Sequence, residues 1–151
     1  MKLENTKEQN DLFFLCSLIE YLGRMTKNHR ADIVQALGEK ELAHIFALAD
    51  VYHCENIEKV ATELIEKHSI VEGNFDNTKE TEDFLIPTHW DIGKVYSRLI
   101  VSLSSSSNEF IPMLIKIYTS WIAPKIDDYR SSMYYENNSY LASSYLAGRV
   151  Q

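Results

Sequence analysis

The sequence predicts an all-α fold, a compact bundle of five to seven short antiparallel helices. Three observations carry that expectation. Apolar side chains recur at intervals of three and four residues through nearly every segment, the spacing that lines one face of a helix. Turn chemistry interrupts the pattern at short intervals, so successive helices are brief and run back past one another rather than extending into a coiled coil. Five glycines and three prolines in 151 residues are too few for a turn-rich β protein or a disordered chain. The length is that of one domain, 1–151, large enough to bury a core without a disulfide or a metal.

The first helix is expected at 9–25, where Leu12, Leu15, Ile19 and Leu22 form a stripe widened by Phe13, Phe14, Cys16 and Leu18. A helix apolar on so many sides belongs at the centre of the bundle or under a partner. Asn28 can cap a short second helix that Gly38 stops in the left-handed conformation. A third is expected at 39–53 with Leu42, Ile45, Phe46, Ala49 and Tyr52 on one side. Asn56 can cap a fourth that carries Ile57, Val60, Ala61, Leu64 and Ile65 and ends near His68.

Residues 69–87 read as a polar loop, with turn chemistry at 73–78 and a charged stretch at 79–83, and they separate subdomains at about 11–68 and 88–147. Thr88 and Asp91 make the clearest helix start in the chain, a capping box with Asp at its third position, and Ile92, Val95, Tyr96, Leu99, Ile100 and Leu103 follow in register. Four serines at 104–107 form a turn before a sixth helix. Pro112 falls in its first turn, where a missing N–H costs little, whereas Pro124 lies deeper and should kink or split it. A last short helix is expected at 139–146.

Charge excludes several functions. The formal net charge is −7, and residues 31–87 concentrate it, with thirteen acidic side chains against four basic ones. A phosphate-backbone binder needs a positive patch, so nucleic acid is excluded as a partner, and an anionic membrane surface with it. A basic protein partner is permitted. Cys16 and Cys54 stand in no paired motif and imply reduced thiols; the polar start carries no signal-like apolar run and no segment is long enough to span a bilayer, which together predict a cytoplasmic protein.

Motifs for chemistry are sparse. Glu41-Leu42-Ala43-His44 and Asp50-Val51-Tyr52-His53 resemble the carboxylate–histidine elements of di-metal bundles, but those sites need the two elements on different helices. Glu41 and Asp50 are nine positions apart on one helix, a rotation of about 900°, and point to opposite sides. Asp50, His53 and Cys54 can share a face, with Glu20 or His89 as further donors for zinc; the competing reading of His53 is a helix end whose carbonyls it caps. No cofactor is implied, since no Walker A, GxGxxG, HExxH or EF-hand pattern occurs, and the five histidines lie in no nucleophile–base motif. A helix-turn-helix at 28–49 is disfavoured because its recognition helix would open with Glu39, Lys40 and Glu41 and carry His44 where an apolar residue is usual. Five of the nine tyrosines, Tyr129, Tyr134, Tyr135, Tyr140 and Tyr145, crowd the last 23 residues, either as an interface or as cover for the bundle.

Phe14-Leu15-Cys16, Ile19-Glu20, Ala31-Asp32-Ile33-Val34 and Asp50-Val51-Tyr52-His53 with 57–65 together resemble a small bacterial helical domain of uncharacterised function. The resemblance covers about residues 11–70. That family is often encoded beside toxin-like ADP-ribosyltransferases, so the resemblance implies an antitoxin-like or accessory role.

These readings predict a non-catalytic interaction module that docks a protein partner through an acidic face containing Glu39, Glu41 and Glu58, or through Trp121 and the tyrosine-rich segment, with a homodimer as a further possibility through the apolar first helix. The alternative is an enzyme or small-ligand binder with a pocket between the helical halves near His53, His89, Trp90 and Trp121, recognisable as a partly polar cavity where those residues converge.

Overall fold

The computed structural model describes residues 6–78, 86–129 and 133–151; the charged stretch at 79–83, the chain's first five residues and Ser131 and Ser132 of the serine–tyrosine tail lie outside them. The fold is all-α. Among the described residues eight helices follow one another: α1 (Lys7–Thr26), α2 (Arg30–Ala47), α3 (Ala49–His53), α4 (Ile57–His68), α5 (His89–Leu103), α6 (Phe110–Tyr118), α7 (Ile122–Ile126) and α8 (Asn138–Ala147). Single 3₁₀ turns at Ser107–Glu109 and Met133–Tyr135 complete the described chain. Eight exceeds the expected five to seven because two predicted helices each divide in two, while the expected second helix runs on through the kink at Gly38 into the first part of the expected third.

The caps show where local sequence was sufficient. Thr88 and Asp91 close a full capping box, with Thr88 Oγ1 accepting from the Asp91 N–H at 3.0 Å and Asp91 Oδ2 accepting from the Thr88 N–H at 2.9 Å. Asn56 Oδ1 accepts from the Glu58 N–H at 2.8 Å and starts α4. Asn28 departs from expectation. His29 is the N-cap residue of α2, without a side-chain cap bond, and the Asn28 amide instead donates to Thr26 Oγ1 and the Val71 carbonyl, both at 2.9 Å. A tertiary contact with the loop after α4 has displaced the local cap.

Gly38 breaks α2 as expected, but not in the left-handed helical region: φ is 78° and ψ is 162°, a combination open to glycine that produces a kink rather than a stop. The expected helix at 39–53 divides at Leu48 into the end of α2 and the single turn α3. Pro124 lacks the N–H that would bond to Ser120, and the chain leaves helical geometry between Tyr118 and Ile122, separating α6 from α7.

Helix α1 is the axis of the core. Leu12, Phe14, Leu15, Cys16, Leu18, Ile19 and Leu22 are all buried, together with the polar Ser17 and Glu20. Its most extensive contact is with α5, followed by α2; α2 also packs on α6, and α8 covers α5. Helices from both sides of the 69–87 loop thus contribute to one continuous apolar cluster. The α1–α5 crossing is close because α5 presents Gly93 there. A Cβ on Gly93 would stand 2.1 Å from Ser17 Oγ and 2.8 Å from its backbone nitrogen.

Candidate functional site

Phe13 and Phe14 are consecutive on α1 and therefore leave the helix about 100° apart. Phe14 turns into the core beneath His53 at the end of α3, ring centroids 5.5 Å apart. Phe13, half-buried, meets Trp90 of α5 at 5.7 Å. His53 lies 6.2 Å from Trp90, and His89 packs 4.7 Å from Trp90 and 5.0 Å from Tyr21. The predicted pocket residues His53, His89 and Trp90 therefore converge as one aromatic wall; Trp121, half-buried at the start of α7, makes no ring contact with it.

Open troughs flank this wall across the first turns of α1. One, of about 670 Å³, lies between α1 and α3 and is bordered by Lys7, Asp11, Phe13, Asp50, His53 and Cys54. A second, of about 780 Å³, lies between α1, α5 and α8 and is bordered by Gln9, Asn10, Phe13, Lys94, Arg98 and Asn138. Asn10 and Phe13 border both, so the two form one groove with Phe13 as its ridge. The exposed Lys7 bonds the buried Asp11 at 2.8 Å, and this hydrogen bond raises the lysine's pKa. His89 Nε2 is buried without a hydrogen-bond partner. Burial, aided by the nearby Arg24 charge, lowers the His89 pKa, so its ring is neutral at neutral pH.

The zinc reading does not assemble. The Cys54 thiol donates to the Asp50 carbonyl at 3.4 Å, Glu20 is fully buried between two arginines, and His89 faces Tyr21. Among the described residues, no group of three His, Cys, Asp or Glu side chains is placed to hold a metal ion.

Behind the wall lies a network that sequence reasoning missed. Arg30 donates to Glu20 through Nε at 2.9 Å and Nη2 at 2.8 Å, and Arg24 Nε donates to the same carboxylate at 2.8 Å. Tyr129 donates its hydroxyl to Glu20 at 2.8 Å and accepts from Arg24 and Asn77. Burial works to raise the Glu20 pKa, but the Arg30 hydrogen bonds and both arginine charges outweigh it and hold it at about 2. Asp127 lies in the same interior, accepting from the Tyr96 hydroxyl at 2.8 Å; burial and the Glu20 charge push its carboxyl up to about 7. The one signal available in the sequence was Glu20 itself, a carboxylate inside an apolar stripe with Arg24 one turn later.

The predicted docking residues are divided by this packing. Glu39 and Glu58 are exposed. Glu41 is not part of an open acidic face: it is buried, pairs with Lys67 at 2.7 Å and His68 at 2.8 Å, and lies 3.3 Å from His44. Burial opposes its ionisation, but these hydrogen bonds prevail and hold its pKa at about 2. Tyr129, 2% exposed, belongs to the Glu20 network and presents no surface to a partner. Tyr134, Tyr140 and Tyr145 are half-buried against the core, while Tyr135 is 59% exposed. The tail therefore covers the bundle with most of its tyrosines and turns one outward. Among the described residues, no helix is long and apolar enough to cross a membrane. No protein-family model, curated protein or solved structure shows a significant match to this chain.

Proposed function

We propose that this protein binds a small ligand in the groove over the first turns of α1. The observation that carries the reading is that Phe13, backed by Trp90 of a second helix and joined by His53 of a third, stands as the ridge of a concave and partly polar surface. Binding is favoured over catalysis by how the groove's potential nucleophiles are engaged. Ser97 donates to the Lys94 carbonyl, Ser104 to the Ile100 carbonyl and Cys54 to the Asp50 carbonyl, while Ser102 accepts from the Asn138 amide, so none of the four is hydrogen-bonded to a side-chain base. A fragment screen followed by amide shift mapping and Trp90 fluorescence tests the reading. Perturbations centred on Phe13, His53 and Trp90, and lost in Phe13→Ala, support it. Hits scattered over the surface, or none, overturn it.

A second reading keeps the chain as a protein-docking module. Its specific observation is that Leu48 and Val51, 38% and 54% exposed, stand at the α2–α3 junction with the exposed Asp50, Glu55 and Glu58 close in sequence. An apolar patch beside carboxylates suits a partner with a basic rim around an apolar centre. The antitoxin-like or accessory role implied by the resemblance of residues 11–70 would run through this surface, as would self-association. Retention of a partner by wild-type protein and its loss in Val51→Lys would support docking; equal retention by both would remove it.

A further inference from the structure

The two halves of the groove differ in charge. Towards α3 the lysine is already neutralised, because Lys7 is paired with Asp11 and Asp50 is nearby. Towards α5 the groove is bordered by Lys94 and Arg98, four residues apart and hence on one face of the helix. Both are exposed, and among the described residues neither takes part in an ion pair or hydrogen bond through its side chain. By contrast, Lys7, Arg24, Lys27, Arg30, Lys59 and Lys67 all have carboxylate partners. Lys40, Lys116 and Arg149 also lack an ion pair, but Lys94 and Arg98 are the two that stand one turn apart at the edge of a groove.

One further feature favours an anion beside these cations, and another sets where it would lie. The first turns of α1 and α8, the positive ends of those helices, reach the groove through Gln9, Asn10 and Asn138. The end of α5 reaches it at Ser104 with the opposite sign, which places negative charge towards Lys94 rather than towards the serine turn. Asn138 donates to Ser102, and its Oδ1 is buried without a hydrogen-bond partner, so it offers an anion nothing. Phe13 closes the other side with an aromatic face.

From this arrangement we infer that the α5 side of the groove binds a phosphorylated small molecule, its phosphate held by Lys94 and Arg98 and its apolar or aromatic portion against Phe13. Arg98 supplies a planar fork that matches two phosphate oxygens, and Lys94 adds a point charge one turn away, so together they suit a dianion better than a monocarboxylate. The inference rests on the ligand-binding reading above and names its chemical class.

Phenyl phosphate, inorganic phosphate, benzoate and phenol are the probes, titrated against the full chain by amide shift mapping. Phenyl phosphate should bind most tightly, with perturbations spanning Phe13, Lys94 and Arg98. Lys94→Gln and Arg98→Gln should each weaken it about tenfold, the worth of a charge-assisted hydrogen bond. Lys94→Arg should retain binding, and added salt should reduce it. Phe13→Leu should bring phenyl phosphate to the affinity of inorganic phosphate. Phenol or benzoate binding the groove as well as phenyl phosphate would overturn the phosphate assignment while leaving a ligand groove in place, as would phenyl phosphate binding unchanged in the Gln variants. No probe perturbing the groove would overturn this assignment, whereas the reading beneath it falls only if the wider fragment set also finds nothing there.

Discussion

Glu20 and Arg30 meet fork to fork in the interior, Nε to Oε1 at 2.9 Å and Nη2 to Oε2 at 2.8 Å, with the two side chains 0% and 1% exposed. Ten residues and a helix reversal separate them in the chain, so their pairing fixes how α2 leaves α1. Arg30 further donates to the Asn28 carbonyl at 2.7 Å and to Asn77 Oδ1 at 3.1 Å, fastening the α1–α2 turn and the loop after α4 to the same point.

Removing the carboxylate charge leaves two arginines facing each other in the interior. Glu20→Gln should therefore cost about 3–5 kcal/mol in urea unfolding, the range for breaking a buried pair from one side. Arg24→Gln should cost less, because the Arg24 side chain is 20% exposed and Arg30 would still neutralise Glu20.

Asp127 gives the protein an inverted pH response. Its carboxyl titrates at about 7 in the fold against 3.8 in the open chain, so its favourable contribution is complete below 3.8 and is lost as pH rises towards 7. Glu20 and Glu41, both held at about 2 against 4.5, act oppositely: their contribution is present above 4.5 and is lost as pH falls towards 2. His89, lowered by burial and Arg24, loses stability as pH falls below 6.5 and partly offsets Asp127. Comparison of wild type with Asp127→Asn isolates the carboxyl. The variant should be more stable at about pH 8, by about 4 kcal/mol, and the gap should close by about pH 4. Chemical denaturation across pH reads it.

Gly93 allows α5 to touch the backbone of α1. Gly93→Ala should force the helices apart at Ser17 and cost about 2–3 kcal/mol in thermal or urea unfolding. Gly148→Ala is the contrast. Its φ of 78° disfavours alanine by about 1 kcal/mol, but nothing stands within 4 Å of the added carbon.

Tyr129 and Tyr135 separate cover from surface within one tyrosine cluster. Tyr129→Phe removes a hydroxyl that bonds Glu20, Arg24 and Asn77, and should cost about 1–3 kcal/mol. Tyr135→Ala, at an exposed site, should change stability by less than about 0.5 kcal/mol. Paired denaturation curves distinguish them.

Most helix positions, the capping box at Thr88 and Asp91, the cap at Asn56, the break at Gly38 and the division before Pro124 were legible in the sequence, because periodicity, caps and breakers act over a few residues; the division at Leu48, which no glycine or proline marks, was not. The same local reading misplaced Asn28, whose amide found a better partner in the Val71 carbonyl. It also could not separate Glu41 from Glu39 and Glu58 as acidic surface, or Tyr129 from Tyr135 as interface. Those outcomes depend on groups far apart in the chain: Tyr129 reaches Glu20 across 109 positions, and His68 reaches Glu41 across 27. The groove has the same origin, since Phe13, His53, Lys94 and Asn138 come from four helices. Sequence by itself determined which segments are helical and which faces are apolar. Tertiary packing alone decided which charges pair in the interior and which remain open at the groove, because burial removes the water that would otherwise satisfy each charge and leaves only the partner that packing supplies.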